Sequence, residues 1–151
     1  MSNGSKILIV EARFYSEIAD EMAAGAIEAL TADGFGYDRI SVPGAFEIPA
    51  AIRYAIAAQQ MGTADFRYAG YVALGCVIRG ETSHYDYVCG ESARALMDLT
   101  TQYSIALGYG ILTCENGDQA WARADRKRKN KGADVANACL AMIKLKRDFR
   151  L

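Results

Sequence analysis

The segment best suited to chemistry surrounds the single histidine of the chain, His84, in the sequence GCVIRGETSHYDY. An imidazole can give and take a proton near neutral pH, so His84 is a candidate for proton transfer. The preceding residues, Glu81, Thr82 and Ser83, lead into a predicted helix, whose first backbone N–H groups can bind a phosphate. Thr82 or Ser83 could cap that helix instead, and a lone histidine can be structural, so both roles stay open.

Two further segments carry candidate ligand contacts. Phe14, in EARFYSE, lies outside any helical stripe and can either stack on a planar ligand or pack over the edge of a sheet. Its segment lacks the glycines of a phosphate-binding loop. Glu47, in VPGAFEIP, precedes Pro49, a residue type that fits the first turn of a helix. The Glu47 carboxylate can cap that helix or accept hydrogen bonds from an amide or hydroxyl of a ligand.

A basic run follows the last predicted strand, in the sequence CENGDQAWARADRKRKNKG. Arg123 and Lys131 are the cations best placed to neutralise a phosphate. The run has no interleaved aromatic residues, which argues against nucleic-acid binding. The glycines of GYGILT, upstream, lie in a predicted strand and open no helix, so they do not form a dinucleotide-binding fingerprint.

Short apolar runs alternate with helical stripes along the chain. Strands are predicted at 6–10, 39–42, 67–78 and 106–114, and helices at 18–30, 48–61, 85–103, 118–124 and 131–146. This alternation predicts an α/β fold, a three-layer α/β/α sandwich with helices on both faces of a four-stranded parallel sheet. Ligands bind such sheets beyond the carboxyl ends of the strands, so we expect the site in the segments that follow those ends.

Composition narrows the class of protein. The 151 residues suit a single domain over 1–151, and the net charge of −1 favours neither nucleic acid nor a membrane as a partner. The first apolar run is too short for a signal peptide and no run could span a bilayer, so we expect a cytoplasmic protein. No metal site and no cofactor are expected, since the chain has one histidine and scattered cysteines. The spacing predicts reduced, buried thiols at Cys76, Cys89, Cys114 and Cys139.

Taken together, these segments resemble the lumazine synthase family over essentially the whole chain. The matching pieces occur in the order and spacing of the family: RF at 13–14, VPGAFEIP at 42–49, GCVIRGETSHYDYV at 75–88, GILT at 110–113, QAWARA at 119–124 and NKG at 130–132. The combination of VPGAFEIP with VIRGETSH is specific, and the resemblance implies a flavodoxin-like fold.

The resemblance also implies an activity, that of a transferase in the penultimate step of riboflavin biosynthesis. It condenses 5-amino-6-(D-ribitylamino)uracil with 3,4-dihydroxy-2-butanone 4-phosphate to 6,7-dimethyl-8-ribityllumazine, releasing phosphate and water. His84 would transfer protons, while Glu81, Thr82 and Arg123 would bind the phosphate. The residues that would bind the ribitylaminouracil are Phe14, Ala45, Phe46, Glu47, Cys76, Val77, Ile78, Tyr109 and Lys131. Of all these, Tyr109, Arg123 and Lys131 would come from a neighbouring subunit.

Some positions depart from the usual pattern of the family. Glu81 stands where a small residue is common, and its carboxylate must point away from the phosphate or be neutralised by Arg79 or the basic run. Tyr15, Cys76 and Tyr109 also replace more common residues, but none of these changes removes a catalytic group.

Members of this family assemble as pentamers, and some stack twelve pentamers into an icosahedral shell of sixty chains. Few residues precede KILIV, and DRKRK replaces a glycine-containing kink associated with shells. We therefore expect a free homopentamer with sites between subunits, with the 60-mer as the alternative. The resemblance further implies a functional link to riboflavin synthase.

Two other readings compete with this one. A non-catalytic flavin- or lumazine-binding module would retain Phe14 and Glu47 but would not need His84, Arg123 and Lys131 together. A receiver-type signalling domain needs an acidic pair after the first strand and an aspartate that ends the third, and EARF and VIRG supply neither.

Overall fold

The computed structural model describes residues 5–65 and 67–151, so the expectations about the first four residues lie outside the described part. The elements in chain order are β1 (Lys6–Ala12), α1 (Ser16–Ala32), β2 (Gly36–Val42), a 3-10 turn (Ala45–Glu47), α2 (Ile48–Met61), β3 (Tyr68–Ile78), α3 (His84–Tyr103), β4 (Leu107–Cys114), α4 (Gly117–Ala124) and α5 (Lys131–Asp148). The predicted alternation of strands and helices is confirmed.

The four strands form one parallel sheet in the order β2-β1-β3-β4. Successive side chains of a strand point to opposite faces, so β1 supplies Ile7 and Ile9 to one core and Leu8 and Val10 to the other. The first core packs against α1, α4 and α5, and the second packs against α2 and α3. The predicted three-layer α/β/α sandwich is therefore confirmed.

Glycines let α5 approach the sheet and α1 closely. A Cβ on Gly108 of β4 would lie 2.2 Å from the carbonyl oxygen of Val135 in α5, and one on Gly110 would lie 3.0 Å from the Val135 Cγ1. A Cβ on Gly132 would lie 2.1 Å from the carbonyl oxygen of Met22 in α1. The glycines of GYGILT thus serve helix–sheet packing, which explains why they occur inside a strand.

The structure moves several predicted boundaries. β2 begins at Gly36 rather than at residue 39, because its pairing with β1 extends from Gly36 opposite Lys6 to Val42 opposite Ala12. β2 is an outer strand and its residues are mostly exposed, so the apolar pattern that predicts strands is weak there. The third helix includes His84 as its first residue, whereas the sequence predicted a start at residue 85.

The prediction of four buried thiols is correct for Cys114 and Cys139 but wrong for Cys76 and Cys89. Cys114 and Cys139 are buried, while Cys76 and Cys89 are only half-buried, and all four are free thiols. Within 5–65 and 67–151, no helix combines the length and apolar character needed to cross a bilayer.

Candidate active site

Three of the predicted site segments meet at one edge of the sheet. They follow β1, β2 and β3, and these strands are immediate neighbours in the order β2-β1-β3. Ala12 pairs with Val42, so β1 and β2 end at the same level, whereas β3 continues past Leu74, the partner of Glu11, to Ile78. The structure therefore brings Phe14, the turn Ala45–Glu47 and the segment 81–84 to the same end of the molecule.

Phe14 stands in the short connection between β1 and α1 and is 77% exposed. Its ring contacts the ring of Tyr15 edge to face, with centroids 4.9 Å apart and an interplanar angle of 83°. With this exposure the side chain does not pack over the sheet edge, which was the structural alternative. One face of the ring remains accessible for stacking on a planar ligand.

The turn after β2 presents Phe46 and Glu47 to solvent while Ala45 is buried. Glu47 precedes α2, yet its side chain makes no capping hydrogen bond, so the structural role considered for it is not observed. Its Oε1 lies 3.2 Å from the position that a Cβ on Gly44 would occupy, so the carboxylate folds back over this glycine. Pro49 stands in the first turn of α2, as predicted.

The last three residues of β3 alternate between the two faces of the sheet. Cys76 and Ile78 pack against the first core, and Val77 packs against the second. A single ligand cannot contact all three side chains from one face, so their shared surface is the strand backbone. Burial, and then the nearby Cys114, raise the pKa of the Cys76 thiol to about 12, so this thiol is neutral near pH 7 and unsuited to act as a nucleophile.

His84 opens α3 and is exposed, with no hydrogen-bond partner for its imidazole among the described residues. Its backbone N–H donates to the Thr82 hydroxyl oxygen at 3.3 Å, whereas Ser83, at the N-cap position, makes no side-chain capping bond. Thr82 thus adopts part of the capping role considered for it. The imidazole is left accessible beside the helix N-terminus.

Arg79 does not neutralise Glu81, contrary to one of the two expectations for that carboxylate. The Arg79 Nε donates to both carboxylate oxygens of Glu115, at 2.9 and 3.2 Å, and Nη1 lies 3.4 Å from Asp86. These neighbours, with the bond to Glu115 foremost, raise the pKa of Arg79. Glu81 is exposed and forms no ion pair with any residue in the described ranges.

The basic run does not neutralise Glu81 either: no cation of the run pairs with it in the described part of the chain, and Arg126 is bound to α1. Its guanidinium pairs with Glu21 at 3.2 Å and with Glu28 at 2.7 Å, both in α1. Arg126 also donates its backbone N–H to Glu21 at 3.1 Å. The connection between α4 and α5 is thereby attached to α1.

Tyr109 lies near Tyr85 and Cys89 of α3, and Arg123 lies near Cys114 at the end of β4. Within the described residues, neither these two nor Lys131 forms a hydrogen bond or ion pair with the other predicted site residues of the chain. Tyr109 pairs with Ala73, three positions before Leu112, which pairs with Cys76. At a rise of about 3.3 Å per residue, Tyr109 lies about 10 Å short of the Cys76 level. The Arg123 Nη1 donates to the carbonyl oxygen of Gln119 at 3.0 Å, and the Lys131 Nζ lies 3.5 Å from Asp134.

A cluster of charged residues beside Phe14 was missed by the sequence analysis. Glu11 is 2% exposed, and its carboxylate accepts hydrogen bonds from Arg39 at 2.7 and 3.0 Å and from Arg13 at 2.8 Å. The hydrogen bond to Glu11 raises the pKa of Arg39, and bonds to Asp20 and then to Glu11 raise that of Arg13. The available signal was a glutamate two positions after Ile9, on the inward side of an apolar strand.

Comparisons with known proteins identify the family of this chain. The family model described as 6,7-dimethyl-8-ribityllumazine synthase matches residues 4–147. A relative from Rhizobium meliloti named 6,7-dimethyl-8-ribityllumazine synthase 1 is 59% identical over 140 residues, which cover 93% of this chain and 90% of the relative. A relative from Bartonella bacilliformis named 6,7-dimethyl-8-ribityllumazine synthase is 57% identical, and the match covers 95% of this chain and 91% of the relative. A relative of the same name from Agrobacterium fabrum is 56% identical, and the match covers 93% of this chain and 94% of the relative. With a family match over nearly all of its length, the chain belongs to the 6,7-dimethyl-8-ribityllumazine synthase family.

Proposed function

We propose that this protein condenses 5-amino-6-(D-ribitylamino)uracil with 3,4-dihydroxy-2-butanone 4-phosphate, giving 6,7-dimethyl-8-ribityllumazine, phosphate and water. It is then a transferase of riboflavin biosynthesis. The observation that carries this proposal is that an exposed aromatic ring, an exposed carboxylate and a histidine at a helix N-terminus stand at one edge of the sheet, in a chain of this family.

The ribitylaminouracil stacks on Phe14 in this proposal. Phe46, 56% exposed, and the Glu47 carboxylate then face the ring edge and the ribityl hydroxyls, while Ala45 shapes the floor of the turn. The end of β3 contributes backbone groups of Cys76, Val77 and Ile78, because the side chains of these residues alternate between faces. Glu47 is suited to this role since no capping bond occupies its carboxylate.

The phosphate of the butanone binds at the start of α3, where backbone N–H groups of Glu81 and Thr82 and the positive end of the helix attract an anion. The Glu81 side chain has no ion pair in the described part of the chain, so it is free to rotate into solvent when the phosphate binds. Arg123 of a neighbouring subunit supplies the guanidinium in this proposal.

The chemistry moves protons at each step. The amine of the uracil adds to the ketone carbonyl, and loss of one water gives an imine. Loss of a proton from the adjacent carbon then expels the phosphate and leaves an enol, which becomes a ketone. The second amine attacks this ketone and closes the ring with loss of a second water. His84 takes the proton released by each attacking amine and returns protons to the departing oxygens. Holding the two substrates side by side contributes at least as much as this proton transfer.

We also propose that the active sites lie between subunits of a homopentamer. In the described part of the chain, Tyr109, Arg123 and Lys131 form no hydrogen bond or ion pair with Phe14, Glu47 or His84, which suits residues that complete a neighbour's site. An apolar cavity of about 330 Å³ on the outer side of α3 and β4, lined by Leu96, Met97 and Tyr109 among others, offers a surface for a second copy. Repulsion between the basic runs of neighbouring subunits would favour a free pentamer over a 60-mer. Arg126 pairs with Glu21 and Glu28 of its own chain, and this pairing weakens that repulsion.

Light scattering distinguishes the two assemblies. Five chains of 16.4 kDa give a particle of about 80 kDa, which would support the free pentamer. A particle in the megadalton range would indicate the icosahedral shell instead.

We place the enzyme in the cytoplasm, since all four cysteines are free thiols, as in proteins of a reducing compartment. A functional link to riboflavin synthase follows from the product of the proposed reaction.

The direct test of the activity mixes both substrates with the purified protein and follows the lumazine chromophore against the uncatalysed reaction. We expect a clear rate increase, and one that falls when Phe14 is replaced by alanine. No increase over the uncatalysed rate would overturn the proposal, and tightly bound flavin without turnover would indicate a binding module instead.

A further inference from the structure

A buried carboxylate, Glu11, lies near the end of β1, three residues before Phe14. Glu11 is 2% exposed and occupies the inner face of β1, where its neighbours along the strand on that face are Ile7 and Ile9. Two guanidinium groups surround it: Arg39 of β2 donates from Nε at 2.7 Å and from Nη2 at 3.0 Å, and Arg13 donates from Nη1 at 2.8 Å. We call Glu11, Arg13, Asp20 and Arg39 the Glu11 cluster.

Stability alone does not explain the Glu11 cluster. Removing a carboxylate from water is costly, and well-packed apolar residues in place of a buried ion pair are often as stable or more so. Elsewhere on the same strands, the ion pair between Lys6 and Asp38 has side chains that are 43% and 31% exposed, so its charges remain partly solvated. The buried charge of Glu11 is found at the carboxyl end, close to the proposed site.

The Glu11 cluster controls the backbone that carries Phe14. Arg13 is held on both sides, since Nη1 donates to Glu11 at the end of β1 and Nη2 donates to Asp20 of α1. Phe14 follows immediately and is 77% exposed, with the Tyr15 ring as its aromatic neighbour. Core packing therefore does not fix the Phe14 ring, and its direction depends on how the residues before and after it are held.

The connection also closes tightly over the end of the sheet. Glu11, Tyr15 and Cys76 are among the residues that line a cavity of only about 10 Å³. A change in the position of Arg13 would therefore be transmitted to the backbone at Tyr15, with little free space to absorb it.

We propose that Glu11 and Arg39 are positioning residues for substrate binding: through Arg13 they hold the turn 13–15 so that the Phe14 ring stacks on the pyrimidine of the ribitylaminouracil. This inference rests on the proposed function. Glu11 itself does not touch the substrate, and its effect is specific to one of the two substrates because the butanone phosphate binds at the start of α3.

The test replaces Glu11 by glutamine, which has nearly the same shape and removes the charge between the two arginines. The expected result is a KM for the ribitylaminouracil that rises about fivefold, since a ring-stacking contact is worth a factor of about two to ten. The KM for the butanone phosphate and kcat at saturation stay within about twofold of wild type. The Kd of the ribitylaminouracil alone, measured by titration without the second substrate, rises by the same factor.

A double mutant separates positioning from general damage. In a Phe14→Ala background the ring is absent, so Glu11→Gln should produce no further rise in the KM for the ribitylaminouracil. Additive effects of the two substitutions would overturn the inference. So would a Glu11→Gln variant in which both KM values change equally, or in which only kcat falls.

Two further variants keep the test decisive if Glu11→Gln folds poorly. Asp20→Asn breaks only the outer hydrogen bond of Arg13 at a side chain that is 67% exposed, and it should shift the same KM in the same direction but less. Asp38→Asn is the matched control, because the Asp38 carboxylate bonds to Lys6 and Tyr68 and not to the Glu11 cluster, and it should leave both KM values unchanged. An unchanged KM in a folded Asp20→Asn variant would overturn the role of Arg13, whereas a wild-type protein without condensing activity would overturn the proposed function as well.

Discussion

Arg79 and Glu115 join the ends of two neighbouring strands: the Arg79 Nε donates to both carboxylate oxygens of Glu115, at 2.9 and 3.2 Å. The guanidinium carbon also lies 4.3 Å from the centroid of the Tyr85 ring, in the first turn of α3. Arg79 therefore connects β3, β4 and α3 at the point where the segment 80–83 leaves the sheet. A residue with this position supports the proposed phosphate site without contacting the phosphate.

We expect Arg79→Met to raise the KM for the butanone phosphate about tenfold, because the start of α3 loses its support. The free energy of unfolding should fall by less than about 1 kcal/mol, since ion pairs of exposed side chains contribute little. Steady-state kinetics and urea unfolding check the two expectations. Arg94→Met is the control, because Arg94 also pairs with two carboxylates, Glu91 and Asp98, but farther along α3. Equal kinetic effects of the two variants would contradict this role.

His84→Ala should lower kcat/KM by about 100-fold while leaving condensation measurable above the uncatalysed rate. A positioned acid or base typically contributes about 10²- to 10⁴-fold, and the substrates remain aligned without it. The exposed position of His84 predicts an unchanged melting temperature. Complete loss of activity with the fold intact would mean that proton transfer, and not positioning, dominates the catalysis.

Gly108→Ala should destabilise the protein by about 3 kcal/mol, because the added methyl would stand 2.2 Å from the Val135 carbonyl oxygen and α5 would have to move. Gly90→Ala is the matched control: it lies within α3, and a Cβ there meets nothing within 4 Å. Alanine at that position should stabilise the helix by about 0.5–1 kcal/mol. Denaturant unfolding of both variants measures the contrast, and equal effects would refute the packing argument.

Hydrogen bonds from Arg126 lower the pKa of Glu21 below its ordinary value of 4.5. The bond from the Arg126 backbone N–H has the largest effect, and the bond from its guanidinium has the next largest. A lowered pKa in the folded state stabilises the protein above pH 4.5, and this contribution disappears as the pH falls through the folded-state value. The difference in stability between wild type and Glu21→Gln should therefore be largest near pH 7 and shrink below pH 4.5. Asp65→Asn, which removes an exposed carboxylate, serves as the control. A difference that is constant from pH 7 to pH 3 would contradict the assignment.

Local patterns in the sequence determined the order of the elements, the parallel sheet and the end of the sheet at which a site would form. The spacing of Ile48, Ile52 and Ile56 predicts the buried face of α2, and all three are buried. Such patterns are readable because the periods of helices and strands are set within a few residues. The same logic predicted that the segments after β1, β2 and β3 would meet.

Only the tertiary structure decided which charged residues pair and which predicted residues stay apart. Glu11 meets Arg39 across 28 positions, Arg79 meets Glu115 across 36, and Arg126 meets Glu21 across 105. Strand register, and the packing of α5 against α1, bring these partners together, and neither is encoded in a local pattern. For the same reason the sequence could name Tyr109 as a site residue, whereas only the register of β4 shows that it pairs with Ala73, three positions before Cys76.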